Sequence, residues 1–426
     1  MCVDFCFEKT LDYTSPAHGG WGIVRVTALV PESQILFITP SDCFRHGSLG
    51  AVQHGYKDKV AYLGLTPADV IAGYDNLMME AMTEIIENPT HTIKAVFFFA
   101  GCIDDFVGTD KDAIARAMEA KYKDVMFIPC YMNPIDSDSK RPPMVSAMNS
   151  MMSVCIKAVQ RGLIKAEKAR TVNLLGSFAL IPKENELFSF FAAHNIDKVY
   201  QVGEHETMES YYEMGRSILN VLLTPITRLA AENMKRELGI ESVQTLISYD
   251  LNEIKESYEL IEKVLSDDIA FDFSDIEKHT RQVISDTLKE VGQMPILVSG
   301  SAVLRPFSLA KALLEYGFNV TEISAQAAIA PDKEAFEYIK ANYKNVKILQ
   351  TQHHRAATMH LDEVREILAI GYEGAYLGNA GYVVDLVDDE RMYGYYGVEL
   401  LMQQMSEAVK EKTNLREMIE EYGAVV

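Results

Sequence analysis

Apolar and amphipathic segments alternate along this 426-residue chain, and the alternation limits its possible folds more than any other feature. Strand-like segments such as "TVNLLGSF" and "DKVYQVGE" are separated by helix-like ones such as "KENELFSFFAAHN" and "PITRLAAENMKRELGI". Strands that are joined through helices pair in parallel, by right-handed crossovers. We therefore predict an α/β chain built on parallel sheets.

The alternation occurs in three successive blocks, which we interpret as three Rossmann-like domains of residues 1–165, 166–265 and 266–426. The chain is longer than one ordinary domain of roughly 100–200 residues. Two long helix-like segments, "DLNEIKESYELIEKVLSDD" and "SDIEKHTRQVISDTLKEVG", bridge the last two blocks. In the third block the alternation predicts a helix for "HLDEVREILAIG" and a strand for "EGAYLG".

The charge balance argues against nucleic acid and membrane as partners. The chain has 61 Asp and Glu against 40 Lys and Arg, a net charge of −21, and such a surface repels phosphate backbones and anionic lipids. No apolar stretch is long enough to span a bilayer, and the start, "MCVDFCFEKT", lacks the basic region of a signal peptide. We expect a cytoplasmic protein whose six cysteines are reduced thiols.

Ligands of open parallel sheets bind at the carboxyl ends of the strands, so the residues that follow each strand are the candidate site residues. Suggestive residues occur in "FITPSDCFRHG", "FFFAGCIDDFVGTD", "LLGSF" and "LVSGS". No glycine-rich dinucleotide motif and no P-loop motif follows a predicted strand. We therefore expect neither a classical dinucleotide site nor ATP hydrolysis by this chain itself.

Two cysteines follow predicted strands. Cys102 precedes a helix start, where the helix dipole favours a thiolate, so it is either a ligand or reactive thiol, or a small buried residue. Cys43 lies beside Asp42 and His46, and all three residue types bind metals. The alternative for this second group is a plain turn, in which Asp42 caps the chain and His46 bonds the backbone.

The segment "QTQHHRAATMH" contains the densest group of histidines in the chain: His353, His354 and His360, together with Arg355. Arg and His side chains supply hydrogen-bond donors, so the segment is a candidate site for an anion or a polar substrate. The alternative is a solvated loop that leads into the next helix. The spacing excludes a zinc protease motif.

Five segments, in order, carry a resemblance to a known family: "RHGSLGA", "FFFAGCIDDFVGTD", "VNLLGSF", "ILNVLLTPITRLAAENMKRELGIESVQ" and "LVSGSAVLRPFSLAKALLEYGFNV". From about residue 20 to its last helix, the chain resembles the nitrogenase component 1 superfamily. That superfamily includes nitrogenase proteins, cofactor-assembly scaffolds and dark-operative chlorophyll-pathway reductases. The resemblance implies three parallel α/β domains around a central cleft, and pairing with a homologous subunit in a homomeric or heteromeric assembly. It also implies electron supply by a separate ATP-dependent iron–sulfur protein.

The resemblance further implies an iron–sulfur cluster of the 4Fe–4S type that is shared at a subunit interface. Of the cysteines expected at the family positions, Cys102 is present, Ala51 replaces the second, and "DYTSPAHGG" contains no first one. The glycines of "HGSLGA" predict a tight turn that presents Ala51. Cys43 could substitute as a thiolate and Asp42 as an oxygen ligand, or a partner subunit could supply most of the ligands.

The cysteine that anchors the nitrogenase active-site cofactor is expected near Leu223 or Thr224, where this chain has none. We therefore interpret the chain as a subunit of a nitrogenase-like two-component reductase that does not reduce dinitrogen. A divergent, cluster-free subunit that acts as a scaffold or as a cofactor- or ligand-binding module is the first alternative. An unrelated α/β binding protein with a hinge at residues 252–290 is the second.

Overall fold

Three parallel sheets organise the chain, which confirms the predicted α/β class. The computed structural model describes residues 26–41, 43–131, 142–358 and 363–415, together with residues 11, 13, 417 and 419. Within these ranges the sheets contain four, four and five strands, and every pair of neighbouring strands is parallel. Each sheet falls within one of the three predicted domains, whose exact boundaries stay predictions.

The first sheet has the strand order β2-β1-β3-β4. Its strands are β1 (Ser33–Pro40), β2 (Val60–Leu65), β3 (Ala95–Ala100) and β4 (Met126–Tyr131). The helices of this part are α1 (Arg45–Gln53), α2 (Pro67–Ala72), α3 (Asp75–Glu87), α4 (Cys102–Val107), α5 (Lys111–Lys121) and α6 (Pro143–Gln160). The central strands β1 and β3 are almost wholly buried, as expected for a sheet covered by helices on both faces.

The second sheet repeats this plan, with the strand order β6-β5-β7-β8. Its strands are β5 (Thr171–Leu175), β6 (Lys198–Gln201), β7 (Leu219–Leu222) and β8 (Glu241–Gln244). Its helices are α7 (Glu186–Ala193), α8 (Met208–Tyr212) and α9 (Arg228–Leu238). Helix α9 ends at Gly239, whose φ of 69° provides the left-handed end that the sequence predicts for this helix.

The third sheet has the order β11-β10-β9-β12-β13. Its strands are β9 (Ile296–Ser299), β10 (Val320–Ser324), β11 (Lys347–Leu349), β12 (Arg365–Ile370) and β13 (Ala380–Val384). The helices that precede or cover it are α10 (Leu251–Leu265), α11 (Ser274–Val291), α12 (Pro306–Glu315), α13 (Lys333–Asn342), α14 (Tyr372–Gly378) and α15 (Gly394–Ala408). Helices α10 and α11 confirm the two predicted long helices.

All three sheets reverse the direction of strand addition next to their first strand. In the first sheet the chain adds β2 on one side of β1, then crosses to β3 on the other side, and the other two sheets do the same at β5 and β7 and at β9 and β12. Ligands of open parallel sheets bind in the crevice outside the strands at such switch points. The residues after β1 and β3 therefore stand at the position where this fold class places chemistry.

The long helices are amphipathic and pack on the protein. Helix α6 buries nine of its residues, and α11 lies against α15, where the Thr280 hydroxyl donates to Glu399 Oε1 at 2.6 Å. One apolar core unites side chains of the first and second sheets, and another unites those of the second and third. No helix in the described part of the chain has both the length and the apolar character that crossing a membrane needs.

Two local predictions in the third block are wrong. The alternation predicts a helix for "HLDEVREILAIG", but the apolar half of this segment is strand β12. The following "EGAYLG" has a strand position but belongs to helix α14. In the first block, strand β2, "VAYLGL", is an additional strand that the sequence analysis does not predict.

Candidate functional site at the switch point of the first sheet

The glycine-rich segment after β1 is a helix, so the predicted tight turn is wrong. Residues Arg45–Gln53 form α1, and Ala51 is only 2% exposed, within the core that also contains Phe37. A methyl group placed on Gly47 would stand 3.4 Å from the Phe37 ring. A methyl group there would make only an ordinary contact with the sheet, and the methyl group of Ala51 fills the core.

Cys102 lies at the carboxyl end of β3, where the sequence predicts it. It is the first residue of α4, and its side chain is partly exposed. Gly101 precedes it in an extended conformation, with φ −87° and ψ −175°. A methyl group on Gly101 would stand 3.2 Å from Thr39 Cγ2, so the backbone before Cys102 lies directly beside the end of β1.

Cys43 follows β1 at the same edge of the sheet. Its N–H donates to the Pro40 carbonyl at 3.0 Å, and its side chain is exposed. The next residue, Phe44, packs on Tyr62 of β2 with ring centroids 4.7 Å apart. The segment of Cys43 therefore lies toward β2, whereas Cys102 follows β3 on the other side of β1.

The residues of this switch point do not form a complete cluster site. Among residues 26–41, 43–131, 142–358 and 363–415, no group of three or more His, Cys, Asp or Glu side chains could hold a metal ion. Asp42 lies outside the described residues, as does the side chain of His46. A 4Fe–4S cluster generally takes four thiolates, so the described residues alone do not fit one.

A buried polar network that the sequence analysis misses lies under Cys102. Asp104, in the same helix, accepts a hydrogen bond from the Tyr74 hydroxyl, and its Oδ2 atom is 4.0 Å from Lys111 Nζ. The Lys111 ammonium lies 4.5 Å from the centre of the Tyr131 ring. Burial and the adjacent Asp104 raise the pKa of Tyr74 well above its usual range. The network fixes α4, and with it the position of Cys102.

The histidine segment lies after β11, in the third sheet. The rings of His353 and His354 stack with centroids 4.4 Å apart, and the Arg355 N–H donates to His353 Nδ1 at 3.1 Å. The side chains of His354 and Arg355 are exposed, and His360 lies outside the described residues. The three described residues of the segment come together, but they follow a different sheet from Cys102.

The beginning of the described chain reaches the same place. The Tyr13 N–H donates to the Gln352 carbonyl at 2.8 Å, although Tyr13 precedes the first strand. Gln352 is adjacent to the paired histidines in the chain. The segment expected to carry a first cluster cysteine therefore starts beside the third sheet, and its residues 14–25 lie outside the described part.

The switch point of the second sheet is filled by packing. Leu223 is fully buried, and a methyl group on Gly176 would stand 2.8 Å from Thr224 Oγ1. Gly176 also has a φ of 101°, which other residues rarely adopt. At the position where the resemblance places a cofactor-anchoring cysteine, this chain has Leu223, which is buried, and Thr224, which packs against Gly176.

The switch point of the third sheet is built from serines and glycines, a feature that the sequence marks only as "LVSGS". The Ser299 hydroxyl lies 2.9 Å from that of Ser301 and accepts from the Gly374 N–H at 3.1 Å. A methyl group on Gly371 would stand 2.6 Å from Ala302 Cβ. These contacts bind β9 closely to the start of α14.

Comparisons with known proteins agree with this architecture. Residues 20–410 match the family described as nitrogenase component 1 type oxidoreductase. The nitrogenase iron-molybdenum cofactor biosynthesis protein NifE of Clostridium pasteurianum is 23% identical over 303 residues, which cover 69% of this chain and 63% of the relative. The chain thus spans less than two thirds of the length of that curated relative.

Solved structures show the same fold. The structure of nitrogenase Cp1 at pH 6.5 superimposes with a TM-score of 0.68 at 12% identity, covering 97% of this chain and 96% of that one. Nitrogenase Cp1 at pH 5 gives a TM-score of 0.57 at 12% identity, covering 95% and 91%. The alternative of an unrelated α/β binding protein is therefore wrong. The chain has three sheets of similar plan and a cysteine at the first switch point, and the family match covers most of its length. It therefore belongs to the nitrogenase component 1 type oxidoreductase family.

Proposed function

We propose that this chain is one subunit of a nitrogenase-like two-component reductase that does not reduce dinitrogen. The observation that carries the proposal is the position of Cys102, partly exposed at the end of β3 and beside β1, at the switch point of the first sheet. Its partners are a homologous subunit and a separate ATP-dependent iron–sulfur protein that delivers electrons. The cytoplasm is the location that we propose for this assembly.

Cys102 and Cys43 are the ligands that this chain contributes to an iron–sulfur cluster, and the partner subunit supplies the others. Thiolates are the preferred ligands of such clusters, which accept and release single electrons. The exposure of Cys43 and the partial exposure of Cys102 leave both thiols accessible to a neighbouring subunit. His353, His354, Arg355 and His360 stay candidates for substrate or anion binding.

A cluster-free subunit is the second candidate, because three observations favour it. Ala51 stands where the family resemblance expects a cysteine, and it is buried in the core. The described residues also lack a set of three metal-binding side chains. The curated relative is named as a nitrogenase iron-molybdenum cofactor biosynthesis protein. In this form, the chain acts as a scaffold in a larger assembly.

Anaerobic production of the full chain together with the products of its neighbouring genes tests both candidates. Iron, sulfide and charge-transfer absorption are measured for the wild type and for the Cys102→Ala and Cys43→Ala variants. The Cys130→Ala variant is the matched control, because that thiol is fully buried inside β4. Loss of iron in Cys102→Ala but not in the control supports the reductase subunit. An iron-free complex that keeps its activity in Cys102→Ala overturns it in favour of the scaffold.

A further inference from the structure

A cleft of about 530 Å³ opens along the outer edge of β4, between α5 and α6. Residues of α5 spaced by four positions form one wall, polar residues of α6 form the other, and Leu229 of α9 stands at one end. Gly101, which precedes Cys102, belongs to its lining. None of the described lining residues comes from the third sheet, so this cleft is separate from the histidine segment.

A buried cation lies in this cleft without a hydrogen-bond partner in the described part of the chain. The Lys111 side chain is only 6% exposed, and the residue belongs to the lining of the cleft. Its contacts there are Asp104, at 4.0 Å, and the face of the Tyr131 ring, at 4.5 Å. A buried ammonium that makes no hydrogen bond costs free energy, and an acceptor that enters the cleft would remove that cost.

The position of Lys111 in its helix increases the free-energy cost of burying its ammonium. Lys111 is the first residue of α5, where the positive end of the helix dipole disfavours a cation and favours an anion. Asp110 caps the helix by accepting from the Ala113 N–H at 2.9 Å, so it serves the backbone rather than the ammonium. Both the side chain and the helix end therefore favour negative charge in the cleft.

Further donors line the walls. The Asn149 carbonyl accepts from Asn233 at 2.5 Å, while the Asn149 amide nitrogen donates to no other described residue. Ser146 stands one helical turn before Asn149 in the lining, and the exposed Arg116 lies on the wall formed by α5. Cationic, amide and hydroxyl donors thus line one cleft.

The acidic side chains of the lining limit the charge of a ligand. Glu119 is neutralised by Lys157 and Arg161, each 2.7 Å away, but Asp112 is exposed at the cleft. A phosphate dianion would meet Asp112 and the nearby Asp104 as well as Lys111. Because Lys111 already faces the Asp104 carboxylate, a ligand with one negative charge meets less repulsion than a dianion does.

We propose that this cleft binds a small organic monocarboxylate that carries hydroxyl or amide groups. The carboxylate accepts hydrogen bonds from Lys111, and the polar remainder of the ligand meets Asn149 and Ser146. This inference concerns a site beside the helix that carries Cys102 and needs no cluster. Its test is independent of iron content, so its failure and that of the reductase proposal can be told apart.

The test uses fluorine NMR of trifluoroacetate, a carboxylate probe, titrated with the full-length chain. We expect line broadening that sodium gluconate suppresses, while inorganic phosphate at the same ionic strength suppresses it several-fold less. Lys111→Met should weaken probe binding at least about tenfold. Lys121→Met is the matched control, because that lysine is exposed on the same helix and lies outside the cleft, and it should bind as the wild type does.

Arg116→Gln provides a second variant, which we expect to fold because the Arg116 side chain is exposed. It should weaken probe binding about threefold, with an unchanged circular dichroism spectrum. No broadening in the wild type, equal broadening in Lys111→Met, or stronger suppression by phosphate than by gluconate each overturns the proposal. If Lys111→Met does not fold, wild-type affinity in Arg116→Gln overturns it.

Discussion

Gly101 lies directly against Thr39, with only 3.2 Å between Thr39 Cγ2 and the position that a methyl group on Gly101 would take. The two residues follow the register partners Ile38 and Ala100, so the contact joins the ends of the two central strands. A side chain at the position before Cys102 would consequently require Thr39 to shift by a few tenths of an ångström. This contact sets where the Cys102 thiol stands.

Substitution of Gly101 by alanine should therefore destabilise the protein by about 1–3 kcal/mol, because the added methyl overpacks the strand ends. Urea unfolding measures the change. Gly47→Ala is the control: its methyl would make only an ordinary 3.4 Å contact, and alanine within helix α1 should stabilise it by roughly 0.5–1 kcal/mol. Equal stabilities of the two variants would show that the Thr39 contact is not tight.

The cysteines should differ sharply in reactivity toward iodoacetamide. Cys43 is exposed and Cys102 partly exposed, whereas Cys130 and Cys155 are fully buried. Burial raises the pKa of Cys130 to about 12 and that of Cys155 further above its usual range, so both stay protonated and unreactive. Mass spectrometry of the native protein should find label on Cys43 and Cys102. Label on Cys130 and Cys155 should appear only after denaturation. Early labelling of Cys155 would contradict the described core.

Restoring the family cysteine should not restore a cluster. Ala51→Cys places a sulfur in a core position that is 2% exposed, so we expect overpacking and a loss of about 1–3 kcal/mol in the free energy of unfolding. Iron content after anaerobic preparation should equal that of the wild type. A gain of iron in Ala51→Cys, but not in a double variant with Cys102→Ala, would show that α1 presents this position to a cluster.

Because of Asp389, the free energy of unfolding should fall as the pH rises through the acidic range. Burial raises the pKa of this carboxyl group to about 7, against roughly 3.9 in an unfolded chain. Between those values the folded protein keeps a proton that the unfolded chain releases, so rising pH favours unfolding by about 4 kcal/mol in total. Below pH 4 both states are protonated and the penalty is absent.

Asp389→Asn isolates this effect, since asparagine can retain a hydrogen bond with the Tyr249 hydroxyl, which lies 3.5 Å from the carboxylate. Urea unfolding of the wild type and the variant at pH 4.5, 5.5, 6.5 and 7.5 supplies the measurement. The variant should gain stability relative to the wild type as the pH rises. A difference that does not vary with pH would mean that Asp389 titrates normally.

The sequence predicts the architecture well because the alternation of apolar and amphipathic segments reflects burial directly. It fails at β12 because "ILAI" is an apolar run whose periodicity does not distinguish a buried strand from a helix. The prediction fails at α14 because glycine in that segment is typical of a strand end or a turn. In the structure, a methyl on Gly374 would stand 2.6 Å from Leu297, so the glycine permits close packing of the helix on β9.

The candidate site is predicted in part for similar reasons. The position of Cys102 follows from the strand that precedes it, because parallel strands end at one edge. The conformation around Ala51 does not, since glycines inside a helix cannot be distinguished by sequence from glycines that form a turn. Lys111 has no distinguishing neighbours in the sequence, and its burial depends on Tyr131 and Asp104, which only the folded sheet brings near it.

The hydrogen bond between Tyr13 and Gln352 has a consequence for synthesis on the ribosome. A translating ribosome needs on the order of tens of seconds to make the residues between them at about 5–20 residues per second. Throughout that time the first sheet can assemble before Gln352 exists. The Tyr13 N–H can therefore make this hydrogen bond only after the segment that follows β11 has left the ribosome, and a chain truncated before Gln352 would lack the contact.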